Sequence, residues 1–193
     1  MTSMRMLFMG PPGAGKGTQA AVVADRFGIP AISTGDIFRK NLSEGTPLGL
    51  EAKSYMDAGQ YVPDSVTNNM VRDRVAQPDA EPGFLLDGYP RTLGQVEELD
   101  AILAESGHSL DAVVVLTVDE EELVQRLLNR AKTSGRSDDT EEVIRERQRV
   151  YAEETAPLID VYRERGLLVE IDGLGEVDEV SSRILAALPD AAA

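Results

Sequence analysis

The amino-acid sequence predicts an α/β fold in which a five-stranded parallel sheet is flanked by helices. Three observations indicate this fold class. Five short apolar segments alternate with segments of helical periodicity. The clearest of them, residues 112–118, is almost continuously apolar, which is typical of a parallel strand buried on both faces. A glycine-rich turn at residues 10–18 joins the first strand directly to the first helix.

Local signals place the elements in order along the chain. Residues 4–9 and 28–33 are predicted as the first two strands, with a helix between them. Asp36 and Asp64 are expected to cap the next helices, because an aspartate side chain accepts hydrogen bonds from N–H groups of a first turn. Pro157 is expected to interrupt a later helix. The remaining strands are predicted at residues 83–88, 112–118 and 166–171.

Composition limits the domain count and the classes of partner. A length of 193 residues suits a single domain with a substantial core, here residues 1–193. The formal net charge of −15 argues against nucleic acid or an anionic membrane as a partner, because either would need a basic surface. With no cysteine and one histidine, no zinc site is expected. No segment is long enough to span a bilayer, so we expect a cytoplasmic protein.

The turn Gly10–Thr18 has the composition of a phosphate-binding loop. Glycines allow several backbone N–H groups to converge on one anion, and the helix N-terminus adds the positive end of its dipole. Lys16 adds a mobile point charge that can follow a phosphate oxygen. A strand before the loop and a helix after it complete the context of a P-loop NTPase. The general motif has a serine or threonine directly after the lysine, whereas here Gly17 precedes Thr18.

Two arginines lie on apolar helix faces. Arg130 continues the stripe of Leu123 and Leu127 by one turn. Arg147 lies within a second stripe, whose other members are Val143, Ile144, Val150 and Tyr151. Arginine is rarely buried unless it is paired, so Arg147 is expected to face either a polar cleft or an internal salt bridge.

Further charged residues are predicted near the ends of strands. Asp87 ends the third strand at the carboxyl edge of the sheet, where open parallel sheets bind their ligands. Arg91 lies in the tight turn of residues 89–92 that follows this strand. Arg39 is either a solvated surface residue or a cation that awaits an anion. A loop for phosphate and several arginines suit phosphoryl transfer, which needs positioning and charge stabilisation more than covalent chemistry.

The chain resembles the adenylate kinases, a family of nucleoside monophosphate kinases, over essentially its whole length. The resemblance rests on Gly10–Thr18, on Ser33–Asp36, on Phe84–Thr92 and on Gly135–Asp139. It implies a P-loop NTPase fold with a small helical flap for the monophosphate at about residues 33–62 and a short lid at about residues 131–141. It also implies magnesium-dependent transfer of a phosphoryl group from ATP to AMP, giving two ADP, by a monomer.

The resemblance assigns residues to each nucleotide. The ATP-binding residues are Gly13, Ala14, Gly15, Lys16, Gly17, Thr18, Arg126, Arg130 and Gly175. The AMP-binding residues are Thr34, Arg39, Gln60, Tyr61, Val62, Gly88, Tyr89, Pro90, Arg91, Gln95, Arg136 and Arg147. The catalytic residues are Lys16, Arg91, Arg130, Arg136 and Arg147. Asp87 and Thr18 are implied to hold water on magnesium, with no direct ligand to the metal.

Two alternatives to this function stay open at the level of sequence. A UMP/CMP kinase would keep the reaction and change the base. Gln95 favours adenine, because its amide offers one donor and one acceptor to the base edge. A nucleotide-sensing P-loop module without catalysis is the second alternative. The convergent arginines weigh against it, because ATP binding alone does not need a second anion clamp.

Overall fold

A computed structural model of the chain describes residues 4–11, 13–60, 62–134 and 140–188. The strands are β1 Met4–Met9, β2 Ala31–Ser33, β3 Gly83–Asp87, β4 Ala112–Thr117 and β5 Leu168–Asp172. They form one parallel sheet in the order β2-β3-β1-β4-β5. The predicted fold class, a five-stranded parallel sheet flanked by helices, is confirmed.

Helices occupy the connections between the strands. They are α1 Lys16–Phe27, α2 Thr34–Glu44, α3 Pro47–Asp57, α4 Asp64–Val75, α5 Leu93–Glu105, α6 Glu120–Ser134, α7 Glu141–Glu164 and α8 Val177–Ala187. A 3₁₀ turn at Pro78–Ala80 precedes β3. In the part of the chain that the structure describes, no helix is both long and apolar enough to cross a membrane.

The core lies in two layers, one on each face of the sheet. Alternation along β1 sends Leu7 and Met9 into one layer and Met6 and Phe8 into the other. Helices α4, α5 and α7 cover the first layer, whereas α1 and α8 cover the second. Because both faces are covered, the central strands are almost free of polar side chains, as the continuous apolar run at residues 112–118 indicates.

Three local predictions differ from the structure. Helix α2 begins at Thr34, and its cap is Ser33, whose Oγ accepts a hydrogen bond from the backbone N–H of Asp36 at 3.1 Å. Asp64 is the first residue of α4 rather than its cap, which is Pro63. Helix α7 continues through Pro157, because Leu158 and Tyr162 are buried against the sheet and hold the helix across the missing N–H group.

Helices α2, α3 and α4 lie in the connection between β2 and β3. Thr46 caps α3, with its Oγ1 accepting a hydrogen bond from the N–H of Gly49 at 3.0 Å and donating one to Oδ1 of Asn41 at 2.6 Å. A Cβ at Gly49 would lie 2.1 Å from the carbonyl oxygen of Asn41. Glycine at position 49 therefore permits α2 and α3 to pack backbone against backbone.

Candidate active site

Two cavities lie side by side at the carboxyl ends of β1 and β3. The loop cavity, about 740 Å³, is lined by the glycine-rich turn after β1. The flap cavity, about 780 Å³, is lined by α2 and by the N-terminal parts of α4 and α5. Both cavities share the residues Gly88, Tyr89, Arg91 and Glu154. This is the edge at which an open parallel sheet is expected to bind ligands.

The loop cavity begins at the N-terminus of α1. Gly15 precedes the helix with φ of 80°, a left-handed conformation that favours glycine, and no side chain caps this end. Gly13, Gly15, Lys16, Gly17 and Thr18 all line the cavity. An uncapped helix end suits an anion, because the unpaired N–H groups and the helix dipole both favour negative charge.

Lys16, on the wall of the loop cavity, forms an ion pair with Asp87 at the end of β3. The Nζ of Lys16 lies 2.7 Å from Oδ1 of Asp87, and the two side chains are 28% and 18% exposed. The sheet sets this pairing, because Asp87 at the end of β3 is in register with Phe8 on β1, just before the loop. The carboxylate of Asp87 therefore contacts the same ammonium group that a phosphate in the loop cavity would contact.

Three of the predicted arginines reach this region. Arg91, Arg130 and Arg147 line the loop cavity, and Arg91 also lines the flap cavity. The Nε of Arg91 donates a hydrogen bond to the carbonyl oxygen of Gly88 at 2.9 Å. Arg147 is exposed, and Val150 and Tyr151 from the same stripe line the cavity beside it. Its position favours the polar cleft over a buried internal salt bridge.

Gln95 is a buried polar side chain of the flap cavity, with only 6% of its surface exposed. Its Oε1 accepts a hydrogen bond from the backbone N–H of Arg91 at 2.7 Å. Its Nε2 donates one to Oδ1 of Asp64 at 3.2 Å. Thr92 caps α5, accepting a hydrogen bond from the N–H of Gln95 at 3.1 Å. The amide is therefore held at the cavity wall by contacts on both of its polar atoms.

Comparison with known proteins identifies the family. A family model described as Adenylate kinase matches residues 8–167, which include the loop, the flap and the whole of α7. The chain belongs to the adenylate kinase family. The resemblance predicted from the sequence is confirmed, and so is the interpretation of the chain as an enzyme of this family.

Curated adenylate kinases are similar over nearly their whole length. An adenylate kinase of Nocardioides sp. is 67% identical over 185 residues, which cover 96% of this chain and 97% of the relative. One from Kocuria rhizophila is 62% identical over 184 residues, which cover 95% of this chain and 98% of the relative. One from Renibacterium salmoninarum is 63% identical over 184 residues, covering 95% of each chain.

Not every residue that the adenylate kinase resemblance assigned lines a cavity. Ala14 is a buried residue of the loop itself, and Nε of Arg126 lies 3.7 Å from Oε1 of Glu122 on its own helix. Gln60, Val62 and Gly175 line neither cavity, and Pro90 lines the loop cavity only. Tyr61 and Arg136 lie outside the described residues.

Arg39 lies near the rim of the flap cavity rather than on its wall. Its guanidinium donates a hydrogen bond to the carboxylate of Asp36, and both side chains are 72% exposed. That hydrogen bond, with a second from Ser33, lowers the pKa of Asp36. A Cβ at Gly35, which lines the cavity, would lie 3.3 Å from the guanidinium.

Several residues that line the two cavities are not predicted as site residues from the sequence. Tyr151 and Glu154 continue the spacing of Arg147 and Val150 along α7, so the helical periodicity that indicates Arg147 extends to them. Asp64 was predicted only as a cap, and it lines the flap cavity. Asp64 and Glu154 are not predicted because a site for anions is expected to carry cations rather than carboxylates.

Proposed function

We propose that the protein transfers a phosphoryl group from magnesium-bound ATP to AMP, reversibly, giving two ADP. The observation that carries this proposal is the pair of adjoining cavities that share Arg91, with Lys16 on the wall of the loop cavity. A cation shared between two sites suits a group that passes from one to the other. As a monomer of the cytoplasm, the enzyme would balance the cell's adenine nucleotides.

In this proposal ATP occupies the loop cavity and AMP the flap cavity. The phosphates of ATP meet the loop, Lys16 and Arg130, while the base of AMP meets Gln95 and its phosphate meets Arg91. Arg147 reaches the phosphates from α7, and Arg136, Arg126, Arg39, Gly175 and the segment Gln60–Val62 keep the roles that the resemblance implies. The flap at about residues 33–62 and the lid at about residues 131–141 would cover the two nucleotides.

Direct in-line transfer is the simplest mechanism for these groups. An oxygen of the AMP phosphate attacks the γ-phosphorus of ATP, and the bond from that phosphorus to the bridging oxygen of ADP breaks. Negative charge is spread over the oxygens of the transferring group, and guanidinium and ammonium groups would stabilise it. They do so effectively because they are already in position before the reaction. Lys16 exchanges its contact with Asp87 for a phosphate oxygen.

Oxygen donors in the loop cavity and beside Lys16 fit magnesium carried by ATP. Within the described residues, no group of three or more histidine, cysteine, aspartate or glutamate side chains could hold a metal ion by itself. The Asp87 carboxylate and the Thr18 hydroxyl are hard oxygen groups, and they would hold the magnesium through its bound water molecules. Once bound with ATP, the ion would neutralise phosphate charge.

Turnover of a panel of monophosphates tests the proposed function. Purified protein with magnesium-ATP is expected to convert AMP to ADP faster than it converts UMP or CMP to their diphosphates. Faster turnover of UMP or CMP would make it a UMP/CMP kinase, and ATP binding without turnover of any monophosphate would make it a nucleotide-sensing module. Diphosphates separated by ion-exchange chromatography give the rates directly.

Replacing Gln95 with alanine is expected to raise the KM for AMP much more than the KM for ATP. The loss of one base-edge pair costs roughly 1–3 kcal/mol of discrimination in base recognition generally. Gln19→Ala is the matched control, because Gln19 is another buried and hydrogen-bonded glutamine that lines neither cavity. Steady-state kinetics at a temperature where both variants are folded measures the effect. A rise confined to the KM for ATP would mean that the two cavities are assigned the wrong way round.

A further inference from the structure

The two polar atoms of the Gln95 amide have partners of opposite kind. The backbone N–H of Arg91 can only donate, so the atom facing it at 2.7 Å is the amide oxygen. The carboxylate of Asp64 accepts, so the atom facing it at 3.2 Å is the amide nitrogen. Turning the amide over would place two donors against each other at Arg91 and two acceptors against each other at Asp64. The pair of partners therefore selects one orientation.

Asp64 is well placed to keep this role. It is the first residue of α4, where the positive end of the helix dipole favours a negative charge. Both Asp64 and Gln95 line the flap cavity, so the hydrogen bond between them lies at the cavity wall. The carboxylate is the only side chain bound to Nε2 of Gln95 among the hydrogen bonds of the described residues.

We propose that Asp64 is a specificity-determining residue that positions the Gln95 amide to accept a 6-aminopurine monophosphate and to reject a 6-oxopurine. The inference rests on the proposed function, because it takes the flap cavity as the monophosphate site. Asp64 acts through Gln95 and is thus a positioning residue rather than a catalytic one.

The chemistry of the base edge explains the selection. With one contact on each atom, Gln95 has one lone pair on Oε1 and one N–H on Nε2 left for a ligand. Adenine offers a donor at its 6-amino group and an acceptor at N1, which match this pair. Hypoxanthine offers an acceptor at O6 and a donor at N1, so a base held the same way meets two like groups. An amide free to turn over would fit either base.

The test is the ratio of kcat/KM for AMP to kcat/KM for IMP, two monophosphates whose bases differ only at this edge. Asp64→Asn is expected to lower that ratio about tenfold, the effect of losing one charge-assisted hydrogen bond, since a carboxamide can donate or accept. Asp178→Asn is the matched control, because Asp178 is also an acid in a first helical turn and lies outside both cavities. Its ratio is expected to stay at the wild-type value.

A second background separates positioning from a structural role. In the double variant Asp64→Asn, Gln95→Ala, the ratio of kcat/KM for AMP to that for IMP is expected to equal the ratio of Gln95→Ala alone, because no amide remains to be oriented. An unchanged ratio in Asp64→Asn, with both substrates slowed equally, would overturn the inference, as would a tenfold fall that persists in the Gln95→Ala background. A wild-type protein with no AMP turnover would instead refute the proposed function itself.

Discussion

Replacing Lys16 with methionine is expected to reduce turnover by about 10²–10³-fold or more, the scale of losing one preorganised transition-state donor. Two effects combine. The transferring phosphate loses a cation, and Asp87, now without its partner at 2.7 Å, presents a negative charge to the polyphosphate. The fold is expected to persist, because the loop conformation depends on glycines such as Gly15 rather than on the lysine side chain.

Lys53→Met is the matched control for this prediction. Lys53 is an exposed lysine of α3 that pairs with Asp57 on the same helix, and such exposed pairs contribute little to stability. Turnover and thermal unfolding are measured on both variants. A folded Lys16→Met protein with near-wild-type kcat would falsify the role of Lys16.

Replacing Arg147 with lysine is expected to keep the melting temperature and to lower kcat on the order of 10³-fold, as for the removal of a transition-state arginine in related phosphoryl transfers. Lysine retains the charge but lacks the planar fork that binds two phosphate oxygens at once. Arg149→Lys is the control two residues away. Arg149 pairs with Glu146 and Glu153 and lines neither cavity.

The competing interpretation of Arg147 predicts the opposite result. If its guanidinium serves mainly to hold a carboxylate inside the protein, Arg147→Ala strands that carboxylate and costs about 3–5 kcal/mol of stability. Thermal unfolding and kcat on Arg147→Lys and Arg147→Ala decide between the two. A large fall in melting temperature, with kcat preserved in the folded fraction, would remove Arg147 from the site.

The sequence predicts the sheet well because its strands carry a strong and local signal. The apolar run at residues 112–118 is typical of a buried strand, and residues 112–116 are buried. The glycine-rich turn with its lysine is typical of a junction between a strand and a helix. Helix boundaries carry a weaker signal. Ser33 and Asp36 are both good caps, and the choice between them depends on β2 ending at Ser33, opposite Asp87, which is a tertiary fact.

In the candidate site, too, the features with a local sequence signal are predicted and those that depend on tertiary contacts are not. The loop is predicted from its own glycine spacing, whereas helical periodicity singles out Arg147 but leaves both a polar cleft and an internal salt bridge open. The pair of Asp64 and Gln95 joins residues 31 apart in the chain, on two helices whose approach is set by the core between them. Pro157 shows the same limit. Its sequence position predicts an interrupted helix, but the tertiary packing of α7 outweighs the tendency of proline to break a helix.

The close contact at Gly49 bears on how the effects of mutations in the flap should be interpreted. Any side chain there would overlap the carbonyl group of Asn41, whereas Leu50 and Glu51 beside it are exposed and have room for change. Position 49 touches neither cavity. A loss of activity on substituting Gly49 would thus report the shape of the flap rather than a contact with nucleotide, and tolerance to mutation need not follow distance from the ligands.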